Sequence, residues 1–337
     1  MNKFSTKWFI GLLIATICGV ASAAEWANPQ LLATPEIVKK NIDNPNWVIV
    51  DCRPLPQYLN GHIPGAISLG EKCDKALRDT TDRAFRDISK YERLFGKVGI
   101  SNDSHVVFYH GDQWTLLDAS VAFWILEYLG HDKVYLLDGG IDAWRKAGNR
   151  LEKKPSRKKS TTFKAHVVAS RYGSTDEVLQ VAKANNPTTQ LLDSRTKAEH
   201  DGTEVHSLRG GYIPNTTINV SHEKTLATHK NRKTGKLETI EYLDPDATAK
   251  AFAALDKNKR TIAYCHTGTR AAMTYLELRL LGFKDPANYD ESWRVYGSDV
   301  EYPVKNEQWF DFWNAQWKIQ DLERRIQGLE KSTAGKK

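Results

Sequence analysis

Hydrophobic residues along this chain form short, nearly continuous runs, separated by longer segments in which apolar positions recur at helical spacing. Four such runs lie at residues 47–50, 106–109, 190–192 and 261–264. Residues 271–281 are typical of the longer segments, because their apolar side chains recur with the period of a helix. Strand-like runs that alternate with amphipathic helices predict an α/β fold of parallel sheets flanked by helices.

The same order of motifs occurs twice. An Asp-x-Arg motif follows the first run of each half, at residues 51–53 and 193–195, and a Gly-x-Ile-Pro motif comes next, at 61–64 and 211–214. Further matched pairs are Gly130 with Gly282, Asp138 with Asp290, and Trp144 with Trp293. Internal repetition of this kind predicts two tandem domains of one fold.

The first residues have the layout of a secretory signal peptide. Lys3 and Lys7 precede an apolar run at 8–20, and small residues at 21–23 form a cleavage site. The apolar run is too short to span a bilayer comfortably, so we expect no membrane anchor after cleavage. This leader predicts secretion, with the periplasm as the expected location.

These features divide the chain into five parts. Residues 1–23 form the signal peptide, 24–150 the first domain, and 151–165 a polar, lysine-rich linker. Residues 166–304 form the second domain, and 305–337 a helical tail.

The tail has its own apolar periodicity. Its apolar positions follow an a/d-like spacing at Phe312, Ala315, Ile319, Leu322, Ile326 and Leu329. This spacing predicts a C-terminal helix. Docking of the helix on the second domain through its tryptophans is the favoured interpretation. A short coiled coil that joins two chains into a homodimer is the alternative.

Composition narrows the function classes. The 337-residue chain has a formal net charge of +7, but its basic residues are spread over loops and the tail. A nucleic-acid partner would need basic and aromatic residues organised on one element, so none is expected. Beyond the leader the cysteines are Cys52, Cys73 and Cys265, an odd number that leaves at least one free thiol. A disulfide between Cys52 and Cys73 is a hypothesis that sequence alone does not test.

The third cysteine lies in the most informative stretch of the chain. Cys265 follows the apolar run at 261–264 and precedes the helix predicted at 271–281, with Gly268 in the loop between them. Backbone N–H groups of such a loop and the N-terminus of a helix favour a negative charge. The sequence therefore predicts a site for thiolate chemistry, although a buried structural cysteine would also fit this position.

Taken together, the repeated motifs resemble the tandem-domain rhodanese family, the thiosulfate and 3-mercaptopyruvate sulfurtransferases. The resemblance runs from about residue 35 to residue 304 and includes both Asp-x-Arg motifs and the Cys265 loop. It implies a structural first domain and a catalytic second domain. At the position of Cys265 the first domain has His110, so it cannot form a persulfide.

The resemblance also implies a reaction. The Cys265 thiolate would take sulfane sulfur from a small anionic donor such as thiosulfate and pass it to cyanide or a thiol. The loop residues expected to bind the substrate and the persulfide are His266, Thr267, Gly268, Thr269 and Arg270. Arg195 and Arg209 are further candidates for substrate binding. No cofactor is expected, and no spacing typical of a metal site is found around His110.

Several positions depart from the family pattern, among them Thr269 and Arg270, where tandem members usually have Val-Thr. Glu199 stands where family members place an arginine, and Arg209 is a candidate to replace it. His266 and Thr267 replace an Arg-Lys pair of thiosulfate-specific members. Because of these departures, the resemblance does not identify which sulfur donor the protein uses. His266 could move a proton or bind an anion, but a solvent-facing side chain is the favoured interpretation.

Two other classes compete with a sulfurtransferase. A cysteine phosphatase or arsenate reductase can share this fold, but only four residues separate Cys265 from Arg270, which leaves room for sulfur rather than phosphate. A non-enzymatic sulfur carrier or interaction module is the other alternative. Addition of sulfur to Cys265 on incubation with thiosulfate distinguishes the enzyme from a module in which this cysteine is incidental.

Overall fold

The computed structural model describes residues 25–78, 87–184, 187–230 and 237–334. The predicted leader at 1–23 lies outside the described residues. Within the described stretches, no helix combines the length and apolar composition needed to cross a membrane.

The first half forms a domain around one sheet. Its strands are β1 (Leu32–Ala33), β2 (Trp47–Asp51), β3 (Ile67–Ser68), β4 (His105–Tyr109) and β5 (Val134–Leu137). Its helices are α1 (Pro35–Asn41), α2 (Leu55–Asn60), α3 (Cys73–Leu77), α4 (Ile88–Lys97), α5 (Gln113–Tyr128) and α6 (Gly140–Lys146). All strands are parallel, in the order β1-β5-β4-β2-β3. Central parallel strands are covered on both faces, which explains the continuous apolar runs in β2 and β4.

The second half repeats this plan. Its strands are β6 (Thr189–Asp193), β7 (Arg209–Tyr212), β8 (Thr216–Asn219), β9 (Leu226–Lys230), β10 (Leu237–Leu243), β11 (Arg260–Tyr264), β12 (Asp285–Asn288) and β13 (Lys305–Trp309). Its helices are α7 (Thr175–Lys183), α8 (Lys197–His200), α9 (Pro245–Ala251), α10 (Thr269–Leu280), α11 (Ser292–Tyr296) and α12 (Phe312–Ala334).

The two sheets have equivalent topologies. The parallel order β12-β11-β6-β8 matches β5-β4-β2-β3 of the first domain, strand for strand. The antiparallel pair β9 with β10 has no counterpart among the described residues of the first domain, and the pair β7 with β13 extends what is a single antiparallel bridge, His62 with Glu152, in the first domain. The predicted fold class, two tandem α/β domains with a C-terminal helix, is confirmed.

The domains meet through α5 and α10, the helices that follow β4 and β11 at equivalent places. One apolar cluster passes through both helices and includes Trp124 and Leu276. At its edge the buried carboxylate of Glu127 accepts hydrogen bonds from the Tyr275 hydroxyl at 2.5 Å and from the Arg279 guanidinium at 2.8 Å. Paired charges and a shared core therefore connect the two domains along α10, the helix that follows the Cys265 loop.

The segment predicted as a linker lies along the first domain. His62 and Glu152 exchange backbone hydrogen bonds of 2.9 Å, and Phe163 packs edge-on against Phe95 in the first domain's core. The segment 151–165 therefore extends the first domain before the chain enters the second.

The C-terminal helix forms, but it does not dock. Pairing of β13 with β7 places residues 305–309 at the edge of the second domain. Beyond this strand, α12 presents its apolar side chains to solvent, with Trp313 81% and Trp317 57% exposed. Docking through the tryptophans, the favoured interpretation of the sequence, is therefore wrong.

The structure pairs two of the three cysteines. Cys52, directly after β2, forms a disulfide with Cys73, the first residue of α3, with their Cα atoms 4.7 Å apart. Cys265 is free and buried. The disulfide therefore ties the start of α3 to the carboxyl end of β2, an interior strand of the sheet.

Thiol labelling under denaturing, non-reducing conditions should modify Cys265 and leave Cys52 and Cys73 protected. A sample reduced before labelling should be modified at all three positions, and peptide mass mapping identifies them. The expectation follows from the single disulfide between Cys52 and Cys73. Modification of Cys52 and Cys73 without reduction contradicts it.

A buried carboxyl in α10 should make stability depend on pH. Burial raises the pKa of Glu277 from 4.5 to about 8, and the Thr225 hydroxyl only partly opposes this shift. Between these values the unfolded chain ionises Glu277 while the folded chain keeps it protonated, so the free energy of unfolding should fall as pH rises.

Glu277→Gln is expected to remove this part of the pH dependence and to raise Tm at about pH 8 relative to the wild type. Thermal unfolding of both proteins at about pH 5 and about pH 8 measures the effect. Equal pH dependence in the two proteins would show that Glu277 titrates normally in the fold.

Candidate active site

The Cys265 loop joins the end of β11 to the start of α10. Its backbone is tied to the next helix, because the N–H groups of Trp293 and Arg294 in α11 donate to the carbonyls of Cys265 at 3.0 Å and His266 at 2.8 Å. The Cys265 N–H donates to the Ser292 hydroxyl at 3.0 Å. The loop is thus held by hydrogen bonds on its main chain, which leaves the shape of the sulfur site fixed before substrate arrives.

The sulfur itself lies inside this loop. The Cys265 side chain is completely buried, and the Thr267 N–H donates to its Sγ at 3.4 Å. Since α10 begins at Thr269, the N-terminus of that helix also faces the loop. An N–H donor and a helix N-terminus both stabilise negative charge on sulfur. The arrangement can hold a thiolate or an anionic persulfide.

Glycine is required at the turn of the loop. Gly268 has φ of +77°, a left-handed conformation, and a Cβ there would lie 2.5 Å from the Asp290 carbonyl oxygen. Any side chain would therefore clash with the main chain behind the loop. This geometry explains why the loop between β11 and α10 contains a glycine at this position.

Arg270, at the end of the loop, forms a bidentate ion pair with Glu199. Its guanidinium donates to both carboxylate oxygens of Glu199, at 2.6 and 2.8 Å. Burial lowers the pKa of Arg270, but the Glu199 carboxylate and the Cys265 thiolate outweigh it and raise that pKa. Burial likewise opposes ionisation of Glu199, yet Arg270 holds the pKa of Glu199 down at about 2. Glu199, noted in the sequence only as a departure, is therefore the partner that positions Arg270.

His266 is half-buried rather than directed to solvent. Burial, followed by the charge of Arg270, lowers its pKa to about 4, although Glu199 acts in the opposite direction. The imidazole is therefore neutral at pH 7 and cannot bind an anion by charge. Its ring meets that of His206 edge-on, with centroids 5.8 Å apart.

Arg195 is buried within the second domain. Its guanidinium donates to Asp193 at 2.7 Å and to the Gly211 carbonyl at 2.8 Å, and lies 4.4 Å from the centroid of the Trp293 ring. In the first domain Arg53 donates to Asp51 and the Gly61 carbonyl at 2.6 and 2.8 Å. Because the same arrangement occurs in the domain that has His110 in place of the nucleophilic cysteine, it favours a role in the fold rather than in substrate binding.

Arg209 is bound by residues of the C-terminal part of the second domain. Its guanidinium donates to the Gly297 and Tyr302 carbonyls at 3.3 and 3.2 Å, and it pairs with the Glu307 carboxylate at 2.6 Å. It is almost completely buried there. Arg209 in β7 pairs with Glu307 in β13, so its contacts stabilise the pairing of these two strands. They do not support Arg209 as a replacement for the substrate-binding arginine of the family.

One residue near the loop was missed by sequence reasoning. Arg78 comes from the first domain, at the end of α3, and donates to the Thr267 carbonyl at 3.0 Å and the Thr269 hydroxyl at 2.5 Å. It also forms a buried ion pair with Asp290. No motif in the sequence marks this contact, because it depends on how the two domains pack.

The described residues offer no metal site. Among them, no three His, Cys, Asp or Glu side chains are grouped closely enough to hold an ion. The groups shown at the sulfur are the Thr267 N–H, the N-terminus of α10 and Arg270 in its pair with Glu199.

Comparisons with known proteins agree with this geometry. The rhodanese-like domain family matches twice, at residues 34–147 and 174–299. A Mycobacterium leprae protein provisionally named a thiosulfate sulfurtransferase is 33% identical, over 83% of this chain and 99% of that protein. The thiosulfate sulfurtransferase of Corynebacterium glutamicum is 31% identical, over 83% of this chain and 92% of that enzyme.

Solved structures share the fold. The Escherichia coli protein SseA, described as a 3-mercaptopyruvate sulfotransferase, superposes with a TM-score of 0.64 at 26% identity, over 78% of this chain and 98% of that one. An anaerobic ergothioneine biosynthesis enzyme from Chlorobium limicola gives a TM-score of 0.70 at 20% identity, over 83% of this chain and 71% of that one. At that identity the second likeness concerns the fold alone.

Proposed function

The chain belongs to the rhodanese family of sulfurtransferases, and we propose that it moves sulfane sulfur from a small anionic donor to a thiophilic acceptor through a persulfide on Cys265. The observation that carries the proposal is the position of this free cysteine at the end of β11, with the Thr267 N–H donating to its sulfur at 3.4 Å. The first domain has the same strand and helix, but His110 in place of the nucleophile.

In the first half-reaction the Cys265 thiolate attacks the outer, sulfane sulfur of thiosulfate. A new S–S bond forms on Cys265 while the S–S bond of the donor breaks, and sulfite leaves with the electron pair. The negative charge then rests on the outer sulfur of the persulfide. The N–H donors of the loop and the N-terminus of α10 stabilise this charge without rearrangement.

In the second half-reaction an acceptor removes that sulfur. Cyanide attacks the outer sulfur, the S–S bond to Cys265 breaks, and thiocyanate leaves as the thiolate returns. No proton has to be transferred in either step when both nucleophiles are anions. His266 is neutral at pH 7, which is compatible with this mechanism because neither step needs the imidazole to act as an acid or a base.

The shape and charge of the site favour a small donor. Cys265 is completely buried, so a bulky donor would have to displace the loop. Arg270 interacts with the Cys265 sulfur while it is paired with Glu199, so this arginine and the Thr267 N–H are the groups that would bind a small anionic donor. Steady-state rates with thiosulfate and with 3-mercaptopyruvate, each with cyanide as acceptor, test the donor class. Activity with neither would contradict the proposal.

A phosphatase is the enzymatic alternative that the geometry supports less well. A phosphate held by this loop would bring its negative charge towards Glu199, which is ionised at neutral pH. Turnover of p-nitrophenyl phosphate that disappears in Cys265→Ser would reverse this choice.

We also propose that the protein works outside the cytoplasm, as its leader predicts. The Cys52–Cys73 disulfide supports this location, because such bonds persist mainly in oxidising compartments.

The exposed apolar face of α12 supports the homodimer that the tail's spacing suggests. The full chain should sediment as a dimer, and a chain ending at Asp311, which keeps β13, as a monomer. The same oligomeric state for both chains would contradict pairing through α12.

A further inference from the structure

We propose that Arg78 of the first domain is a positioning residue for the Cys265 loop of the second domain. This inference rests on the proposed sulfur transfer and adds to it a task for the domain that has no nucleophile. The Arg78 side chain is almost completely buried, and its guanidinium crosses the domain boundary to contact the Thr267 carbonyl and the Thr269 hydroxyl.

The contact acts on the residue that binds the sulfur. Thr267 donates its N–H to Cys265 Sγ at 3.4 Å and accepts a hydrogen bond from Arg78 on its carbonyl at 3.0 Å. The loop is therefore held at Thr267 from both sides, by the sulfur and by the first domain. Loss of the guanidinium would remove the first domain's contact with the Thr267 carbonyl, and the N–H donor would be held less firmly towards sulfur.

A buried carboxylate lies behind the same loop. Asp290 is completely buried against Gly268 and forms an ion pair with Arg78. Burial raises the pKa of Asp290 to about 7, and Arg78 is the cation that opposes this shift, whereas Glu291 and Asp74 add to it. The phenols of Tyr91 and Tyr172 also sense its charge. Arg78 thus keeps a buried charge compensated directly beneath the turn of the loop.

Arg78 is itself held in place by the first domain. It follows α3, whose first residue Cys73 is tied to the end of β2 by the disulfide to Cys52. Its Nε donates to Asp74 on the same helix at 2.5 Å. At the position of Cys52 the second domain has Ser194, which bonds to Thr274 within that domain. The disulfide therefore belongs to the half that supplies the guanidinium, where it reduces the freedom of α3.

The test compares Arg78→Met, Arg78→Lys and the double variant Arg78→Met/Asp290→Asn. The double variant removes both buried charges, so it should fold even if Asp290 without its partner prevents folding of Arg78→Met. Arg93→Met, which breaks an exposed ion pair with Asp87 in the first domain, is the matched control. For each folded protein, kcat and KM with thiosulfate and cyanide are measured, together with the pH dependence of Cys265 alkylation by iodoacetamide.

We expect kcat of the double variant to fall by about tenfold to about 100-fold, with a smaller change in KM for thiosulfate. The midpoint of alkylation should move to higher pH, because the thiolate loses a fixed donor. Arg78→Lys should recover part of both effects, and Arg93→Met should match the wild type. A folded double variant with wild-type kcat and alkylation profile would overturn the positioning role. The alkylation profile needs no sulfur donor, so it reports on Arg78 even if the wild type transfers no sulfur.

Discussion

Replacing Cys265 with serine is expected to lower the rate of thiocyanate formation by at least about 10³-fold. A serine hydroxyl is not ionised at neutral pH and cannot carry the transferred sulfur as a persulfide, so both half-reactions are lost. The variant should fold, because the equivalent position of the first domain holds His110 and the fold therefore does not require a thiol there. Steady-state assays with thiosulfate and cyanide measure the loss.

The matched control is His110→Gln, which changes the same position in the domain without a nucleophile. Its folded protein should form thiocyanate at the wild-type rate. If Cys265→Ser kept more than about a tenth of the wild-type rate, the covalent mechanism would be contradicted.

Arg270→Ala is expected to destabilise the fold by about 3 kcal/mol, because it leaves the buried Glu199 carboxylate without its bidentate partner. The same change removes the positive charge that interacts with the Cys265 thiolate, so the rate of sulfur transfer should fall as well. Urea unfolding gives the stability, and assays of the folded protein give the rate.

Glu199→Gln is the matched control for this prediction. Glutamine keeps the capping contact with the start of α8, and the Arg270 side chain, which is partly exposed, can turn to water. Its loss of stability should therefore be smaller, and Arg270→Ala/Glu199→Gln should be more stable than Arg270→Ala alone. A double variant no more stable than Arg270→Ala would contradict the buried-charge explanation.

The ion pair also predicts the direction of acid sensitivity. The pKa of Glu199 is 4.5 in an unperturbed chain and about 2 in the fold, where Arg270 outweighs the effect of burial. Its contribution to stability is therefore present above about pH 4.5 and is lost as pH falls towards about 2. Arg270→Ala should lack this part of the acid dependence.

Most of the fold could be predicted from local pattern. The continuous apolar runs of β2, β4, β6 and β11 follow from burial of parallel strands on both faces, and they are short enough to be distinguished from helices. The position of Cys265 also follows from local sequence, because a strand, a glycine-containing loop and a helix come in succession. These predictions need no knowledge of how distant segments pack.

The contacts of Arg195 favour a structural role, and the sequence contained a sign of it. Both halves carry Asp-x-Arg, including the half with His110 in place of the nucleophile. A motif kept where no chemistry can occur indicates a structural pair, and the buried contacts of Arg53 and Arg195 agree with that. Comparison of the repeats is therefore informative about arginines as well as about the cysteine.

The remaining features depend on tertiary packing. Arg78 and Thr267 are 189 residues apart in the chain, and no periodicity or motif in the sequence predicts contact between them. The amphipathic spacing of α12 is equally suited to docking on the domain or to pairing with a second chain, because both bury the same face. Arg209 was a candidate for substrate binding, and its ion pair with Glu307 across β7 and β13 favours a structural role.

The intact mass of the protein after incubation with thiosulfate and removal of excess donor tests the central claim most directly. We expect the wild type to gain the mass of one sulfur atom, to lose it on addition of cyanide, and Cys265→Ser to gain none. A wild type that gains no sulfur, or a Cys265→Ser variant that gains as much as the wild type, would contradict a persulfide on Cys265.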